Sequence, residues 1–304
     1  MLTALNIIES LKPRCLVVGD LILDRYIHGS VTRINPEAPG VVFHATHAEA
    51  RPGGAGAVAT VLAGLGTTVR CFTAIGADHD LLPVIDSTPG IFYTWENRLP
   101  TIKERRVADG RLLYDRTDWG KPEPITQATE DAFIERLQAE APWDAVLIAD
   151  YGYGVCTDRL IRQLMPCVGG APVLVDPARD ADWSKYRGAT LIKCNRQEAD
   201  AGTKNRDSPF FSHLVVTFGR DGMAANGEGY PTTPRRVSDV TGAGDTVLAV
   251  LGACLAVGVD LPTACRLANV AAGLQVERLG VCRITPDELR AEIAQIATME
   301  EVRA

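Results

Sequence analysis

Short apolar runs that end on an acid recur along this chain, separated by stretches with helical period. Leu16-Val17-Val18 leads into Gly19-Asp20, residues 144–150 read Asp-Ala-Val-Leu-Ile-Ala-Asp, and residues 172–176 read Pro-Val-Leu-Val-Asp. Leu214 to Thr217 is a further apolar run, closed by threonine instead of an acid. Runs that are apolar at every position predict strands buried on both faces, the habit of a parallel sheet. Thr129 to Ala139 and Thr157 to Leu164 predict helices between them, and Val247 to Val259 predicts a core helix too short to span a bilayer. Strands alternating with helices predict the α/β class, with a mostly parallel central sheet and helices on both faces. Ligands of such sheets bind beyond the carboxyl ends of the strands, where Asp20, Asp150 and Asp176 fall.

Two segments break this rhythm. The first, about 25–50, is rich in Val, Phe, Thr and His and contains Pro36 and Pro39. The second, about 91–118, alternates and contains Ala108-Asp109-Gly110, a hairpin-turn signal. Both predict antiparallel ribbons that form a small β-lid over the strand ends. With no Gly/Ser linker and no internal repeat, residues 1–304 are expected to form a single domain carrying this lid.

Composition narrows the partners. The 304 residues are 46% hydrophobic and 23% charged with a formal net charge of -7, which excludes a disordered chain and a coiled coil. No basic stripe is available for nucleic acid, and no signal peptide or membrane span is visible. The eight cysteines are scattered without a C-x-x-C pair, so buried, reduced thiols in a cytoplasmic protein are expected rather than zinc or disulfides. His44 and His47 would point to opposite faces of a strand, which argues against a metal pair. Trp95, Trp119, Trp143 and Trp183 are expected to serve core or lid packing.

Three motifs carry candidate chemistry. Thr241-Gly242-Ala243-Gly244-Asp245 opens an apolar helix, where clustered N–H groups and the helix dipole suit phosphoryl oxygens and the acid suits proton transfer. An ordinary glycine turn with Asp245 as a cap would read the same way. Arg51-Pro52-Gly53-Gly54-Ala55-Gly56-Ala57 opens a small-residue helix, for close approach of a ligand or of another backbone. Asn195 and Glu198, three apart after a strand, suit a hydrated magnesium ion, although taken alone the pair reads as a capping box at a helix start.

Together and in this order, the motifs resemble those of the ribokinase-like (PfkB) carbohydrate kinases, and within that family the heptose 7-phosphate kinases. The likeness extends through Val17 to Tyr26, Thr32 to Pro39, Asp150-Tyr151-Gly152, Val175-Asp176-Pro177, Tyr186 to Ala189 and Cys265 to Asn269. It implies a three-layer α/β/α sandwich and transfer of the ATP γ-phosphate to a sugar hydroxyl, with position 1 of a heptose 7-phosphate as the acceptor it favours. A kinase for another sugar or nucleoside, and a non-catalytic sugar- or nucleotide-binding protein, are the alternatives. Asp245 would be the base, and Gly242, Ala243 and Gly244 the anion hole. Asn195 and Glu198 would organise magnesium and phosphates; Thr217, Gly219, Gly222, Thr241 and Asn269 would line the nucleotide side. Asp20, Arg33, Gly53, Gly54, Arg106 and Asp150 would meet the acceptor. A monovalent cation near Asp239, a homodimer through the lid and a separate downstream adenylyltransferase complete the implied picture; no histidine sits in the H-x-G-H motif of that second activity.

Departures from the resemblance cluster at the acceptor end. Ala57 stands where those kinases carry Asn, Tyr153 and Ala178 where they carry Lys, and Leu112-Leu113 where they carry a glutamine pair. Their Lys-x-Arg aligns with Glu104-Arg105-Arg106, or with Lys103 after a one-residue slip. Cys194 replaces proline before Asn195, and the chain is trimmed around Asp80–Gly90 and Ala201–Phe211. Arg33, Arg51, Lys103, Arg105 and Arg106 are candidate replacements for the lost acceptor contacts.

Overall fold

Each anticipated strand and helix is present in the computed structural model, which describes residues 1–76, 81–179, 181–202, 210–233 and 235–303. His79, most of the trimmed stretch before Phe211 and the start of the other lie outside the described residues. The first half of the chain contains α1 (Leu2–Leu11), β1 (Arg14–Gly19), β2 (Leu21–Ile34), β3 (Val41–Gly54), α2 (Ala55–Gly64), β4 (Thr68–Gly76), α3 (Leu82–Ser87), β5 (Ile91–Glu96), β6 (Ile102–Ala108) and β7 (Arg111–Trp119). Next come α4 (Gln127–Glu140), β8 (Ala145–Ala149), α5 (Asp158–Leu164), β9 (Val173–Asp176), β10 (Leu191–Asn195) and α6 (Arg196–Gly202). The last part holds β11 (His213–Thr217), β12 (Met223–Ala225), β13 (Glu228–Tyr230), α7 (Ala243–Ala256), α8 (Leu261–Val276) and α9 (Pro286–Arg303).

Among the described residues the main sheet has nine strands in the order β13-β12-β11-β10-β9-β8-β1-β4-β5. All its pairings are parallel except β11 with β12 and β12 with β13. Strand alternation explains the continuous apolar runs. In β1, Cys15 and Val17 pack into the layer built by α2, α7 and α8, while Leu16 and Val18 pack into the layer built by α4 and α5. Each face is therefore covered, which gives the three-layer α/β/α sandwich. Helix starts follow the capping rules: Thr126, Thr157 and Asp260 each accept a backbone N–H three residues ahead.

The second sheet, β3-β2-β6-β7, forms the lid. Asp109 (φ 50°) and Gly110 (φ 74°) make the two-residue β6–β7 turn, in which both central residues require positive φ. Two expectations need correction. Residues 91–96 are not lid: β5 pairs in parallel with β4 at the edge of the main sheet, because its alternation serves a half-buried edge strand equally well. The first ribbon also extends beyond 25–50, with Leu21 paired to Gly54 at its base. Trp143 and Trp183 are buried, whereas Trp95, packed edge-on against Tyr93, and Trp119 are about half exposed.

Candidate active site

The carboxyl ends of β8 to β11, the amino end of α7 and the lid strands β6 and β7 enclose a cleft of about 730 Å³. Asp245, in the first turn of α7, is buried just behind this wall: its neighbours Gly244 and Tyr151 line the cleft and Asp245 itself does not. Its Oδ1 accepts a hydrogen bond from the Tyr151 hydroxyl at 2.6 Å. Burial pushes the Asp245 carboxyl up to about 7, with Asp176 and Asp24 adding to the rise and Tyr151 and Lys193 opposing it. A carboxylate poised near neutrality suits a general base better than a permanently ionised one does.

Gly242 caps α7 at φ 78°, and a Cβ there would meet Val281 at 2.6 Å, so the tight entry requires glycine. The amino end of the helix faces the cleft, with Ala243 and Gly244 in its wall. Ala243 N–H reaches back to the Val240 carbonyl at 3.3 Å, so it is partly committed, whereas no acceptor is recorded for Gly244 N–H among the described residues. Beside them stands Lys193 from β10, its ammonium 2.5 Å from Asp176 Oδ2. Burial works to depress the Lys193 ammonium, but Asp176, Asp245 and Glu198 lift it above its ordinary value, so it stays charged.

On the nucleotide side the capping-box reading is realised. Asn195 N–H donates to Glu198 Oε2 at 2.8 Å and Glu198 N–H donates to Asn195 Oδ1 at 3.0 Å. Both residues still line the cleft. One oxygen of each is already engaged, and no group of three or more metal-ligating side chains exists among the described residues. The pair fits a magnesium ion held through water, not one ligated directly. Burial raises the Glu198 carboxyl. Thr217, Gly219 and Gly222 line the cleft, but Thr241 does not appear in its wall: its hydroxyl donates to Asp239 Oδ1. Asn269 reaches the cleft with its amide nitrogen already donating to the Tyr230 carbonyl at 2.8 Å. The Asp239 carboxylate is committed to the fold: Thr241 donates twice to one oxygen, while Tyr26 and Gly280 N–H share the other.

The acceptor side departs most from expectation. Asp20 is buried and accepts backbone N–H groups from Tyr151, Tyr153 and Val155 at 3.0 to 3.1 Å, so it holds a loop instead of facing the cleft. Burial and Asp150 push its carboxyl up to about 6. Asp150 lines the cleft but is held by the Tyr186 hydroxyl (2.7 Å) and the Lys185 ammonium (2.6 Å). Gly53 and Gly54 serve the chain's own packing: a Cβ would meet Asp24 Oδ2 at 2.2 Å in one case and the Asp20 carbonyl at 2.3 Å in the other. Arg33 is exposed toward the far end of the lid ribbon, and Arg106 pairs with Asp115 and Glu104; neither lines the cleft.

Strand geometry resolves the alignment slip. Lys103 and Arg105, two apart on β6, share the inward face, where Arg105 binds Asp24 and Lys103 lines the cleft. Lys103 Nζ lies 4.9 Å from the Tyr151 ring centroid. Arg116, paired with Asp118 at 2.7 and 2.9 Å, lines the same wall. Tyr151, Asp24, Lys193 and Arg116 were not singled out from sequence. Lys193 carried a signal, a lysine inside the fully apolar Leu191-Ile192 run; Asp24 sat at strand spacing from Asp20. Arg116 carried none, because an arginine on a lid strand looks like solvated surface.

Comparison with known proteins agrees with this geometry. A model of the pfkB family carbohydrate kinases matches residues 167–288. The bifunctional protein HldE of Trichlorobacter lovleyi is 38% identical over 325 residues, covering 95% of this chain and 65% of its own length. HldE of Geobacter sulfurreducens is 37% identical over 302 residues, covering 90% and 61%. The chain thus spans just under two thirds of these curated relatives. Phosphofructokinase-2 from Escherichia coli in complex with substrates and products superposes with a TM-score of 0.76 at 16% identity, over 94% of this chain and 99% of that one. Arabidopsis thaliana ribokinase complexed with ribose and ATP gives 0.68 at 19%, over 92% and 98%. At such identities the superpositions speak for a ribokinase-like fold.

Proposed function

The chain belongs to the pfkB family of carbohydrate kinases, and from that premise we propose that it moves the γ-phosphoryl group of ATP to a hydroxyl of a sugar phosphate. The acceptor proposed is a heptose 7-phosphate, phosphorylated at its 1-position. The observation that carries the reading is Asp245: a buried carboxylate near neutral titration, set on the helix turn that faces Lys193. Asp245 takes the hydroxyl proton as the acceptor oxygen bonds to the γ-phosphorus and the bond to ADP breaks. Lys193 and the amino end of α7 stabilise the charge carried by the transferred group, because fixed donors in a site shielded from water cost no reorganisation. Magnesium, held through water by Asn195 and Glu198, supplies further neutralisation of phosphate charge when bound.

Lys103 and Arg116 support an acceptor that already carries an anion, since they are the lid cations in the cleft wall. A second reading, a different sugar phosphate, is favoured by Ala57, which is buried inside α2, and by Ala178, which brings only a methyl group to the cleft. We also propose a cytoplasmic enzyme, where ATP is supplied. No helix among the described residues is long and apolar enough to cross a membrane. A lid-to-lid homodimer is supported by the exposed Val31, Ile34 and Val41 at the lid's end. An adenylyltransferase activity would act next if the acceptor is the heptose. The test is ADP release across hexoses, heptoses and their phosphates, with Asp245→Asn as control. Turnover with heptose 7-phosphate that the variant abolishes supports the proposal; no acceptor-dependent turnover at all overturns the kinase reading.

A further inference from the structure

We infer that Tyr151 is the positioning residue for the base: its hydroxyl holds Asp245 Oδ1, so that Oδ2 is the oxygen that meets the acceptor hydroxyl. This rests on the kinase reading above and adds a residue to it. Among the described residues, Tyr151 is the one recorded hydrogen-bond partner of the Asp245 carboxylate, at 2.6 Å. A buried carboxylate with a single partner is fixed in rotation by that partner, and catalysis requires the free oxygen to be aimed.

The tyrosine is itself braced. Its backbone N–H donates to Asp20 Oδ2 at 3.0 Å, and Tyr153 and Val155 place two further N–H groups on the same carboxylate. The loop after β8 is thus tied to the carboxyl end of β1, and Asp20 acts through Tyr151 rather than on the sugar. From the lid, the Lys103 ammonium lies 4.9 Å from the Tyr151 ring centroid, so the lid places a cation by the ring. A purely structural tyrosine would need neither the cleft-lining position nor a hydroxyl aimed at the base.

During transfer, Oδ2 accepts the hydroxyl proton while the acceptor oxygen bonds to phosphorus and ADP departs. Tyr151 keeps its own proton, since burial and Asp245 push its phenol well above the ordinary value. The charged groups facing Asp245 are Asp24 from β2, Lys103 from β6, Asp176 from β9 and Lys193 from β10. Asp24 and Asp176 disfavour the ionised base, and Lys193 and the Tyr151 hydrogen bond favour it. Deleting the hydroxyl while those charges remain therefore moves the titration of Asp245 to higher pH.

The experiment compares the full-length wild type with Tyr151→Phe in steady-state ADP release against pH, using the acceptor that supports turnover. The expected result is kcat lower by about 10- to 100-fold at pH 7, KM for both substrates within about threefold, and the acid limb of kcat displaced upward. Wild-type kcat together with a superimposable limb overturns the inference. Asp20→Asn, which loosens the loop and leaves the hydroxyl, is the second variant and shifts the limb the same way by less; an unmoved limb there counts against the bracing. If the wild type turns over no acceptor, the kinase reading fails separately. The positioning claim is then decided by carboxyl 13C titration of aspartate-labelled protein, with the Asp245 signal assigned by its loss in Asp245→Asn. An upward move in Tyr151→Phe supports it and an unchanged titration overturns it.

Discussion

The ammonium of Lys193 lies 3.0 Å from the point at which a Cβ on Gly244 would sit. One wall of the cleft thus brings together a helix amino terminus and a buried cation, with Asp176 as the cation's partner on its other side. Gly244→Ala should displace Nζ by a few tenths of an ångström, and kcat should fall by about tenfold or more while the fold is retained. Steady-state kinetics beside a thermal melt separates the two effects.

Lys193→Met removes the charge and leaves Asp176 without its ion-pair partner in a largely buried setting. Breaking one side of such a pair costs about 3–5 kcal/mol of stability, and the lost cation should reduce kcat by about 100-fold. Denaturant unfolding and kinetics check the two halves. Wild-type stability in this variant would show that Asp176 finds another partner.

The Asp245 carboxyl titrates at about 7 when folded, against 3.8 as its ordinary value. Since the base must be ionised, kcat/KM should fall about tenfold per pH unit below that point. Stability runs the opposite way: the folded form binds the proton more tightly, so stability is fully present below about pH 3.8 and is lost as pH rises through 7. Asp245→Asn escapes this loss. It should be inactive yet more stable than wild type at pH 8, by on the order of 1–4 kcal/mol, with the gap closing toward pH 4. Melting curves across pH test the sign.

Glu198→Gln retains an acceptor for the Asn195 N–H but removes the charge. Stability should change by less than about 1 kcal/mol, because the cap survives. The magnesium concentration needed for half-maximal rate should rise several-fold. An unchanged magnesium dependence would remove Glu198 from the metal's environment.

Lys103→Ala should raise KM for a phosphorylated acceptor by about 10- to 100-fold, the equivalent of about 1.5–3 kcal/mol for a hydrogen bond to a charged group. Arg106→Ala should change it by less than about twofold, since Arg106 is engaged by Asp115 and Glu104 away from the cleft. Equal effects from the two variants would contradict the face assignment on β6.

Local patterns in the chain were enough for the α/β class, the strand runs, the hairpin turn at Asp109-Gly110 and the helix that carries Asp245. Those follow from burial periodicity and from φ preferences that a few neighbouring residues decide. The site was legible only where its chemistry lies in one contiguous segment, as in Thr241 to Asp245. What the tertiary structure decided is which charges are free and which are spent. Asp20 looks like a ligand at a strand end until three N–H groups from residues 151–155, far along the chain, are seen on it. Arg106 and Lys103 look alike as charges; alternation along β6 puts them on opposite faces, and the packing of the lid decides that the Lys103 face meets the cleft. Lys193, Asp176 and Asp245 come from separate elements, and the shifts of Lys193 and Asp245 depend on distances of a few ångströms in a desolvated space. Electrostatics in a cleft is set by such distances and by burial, neither of which is written in residue order.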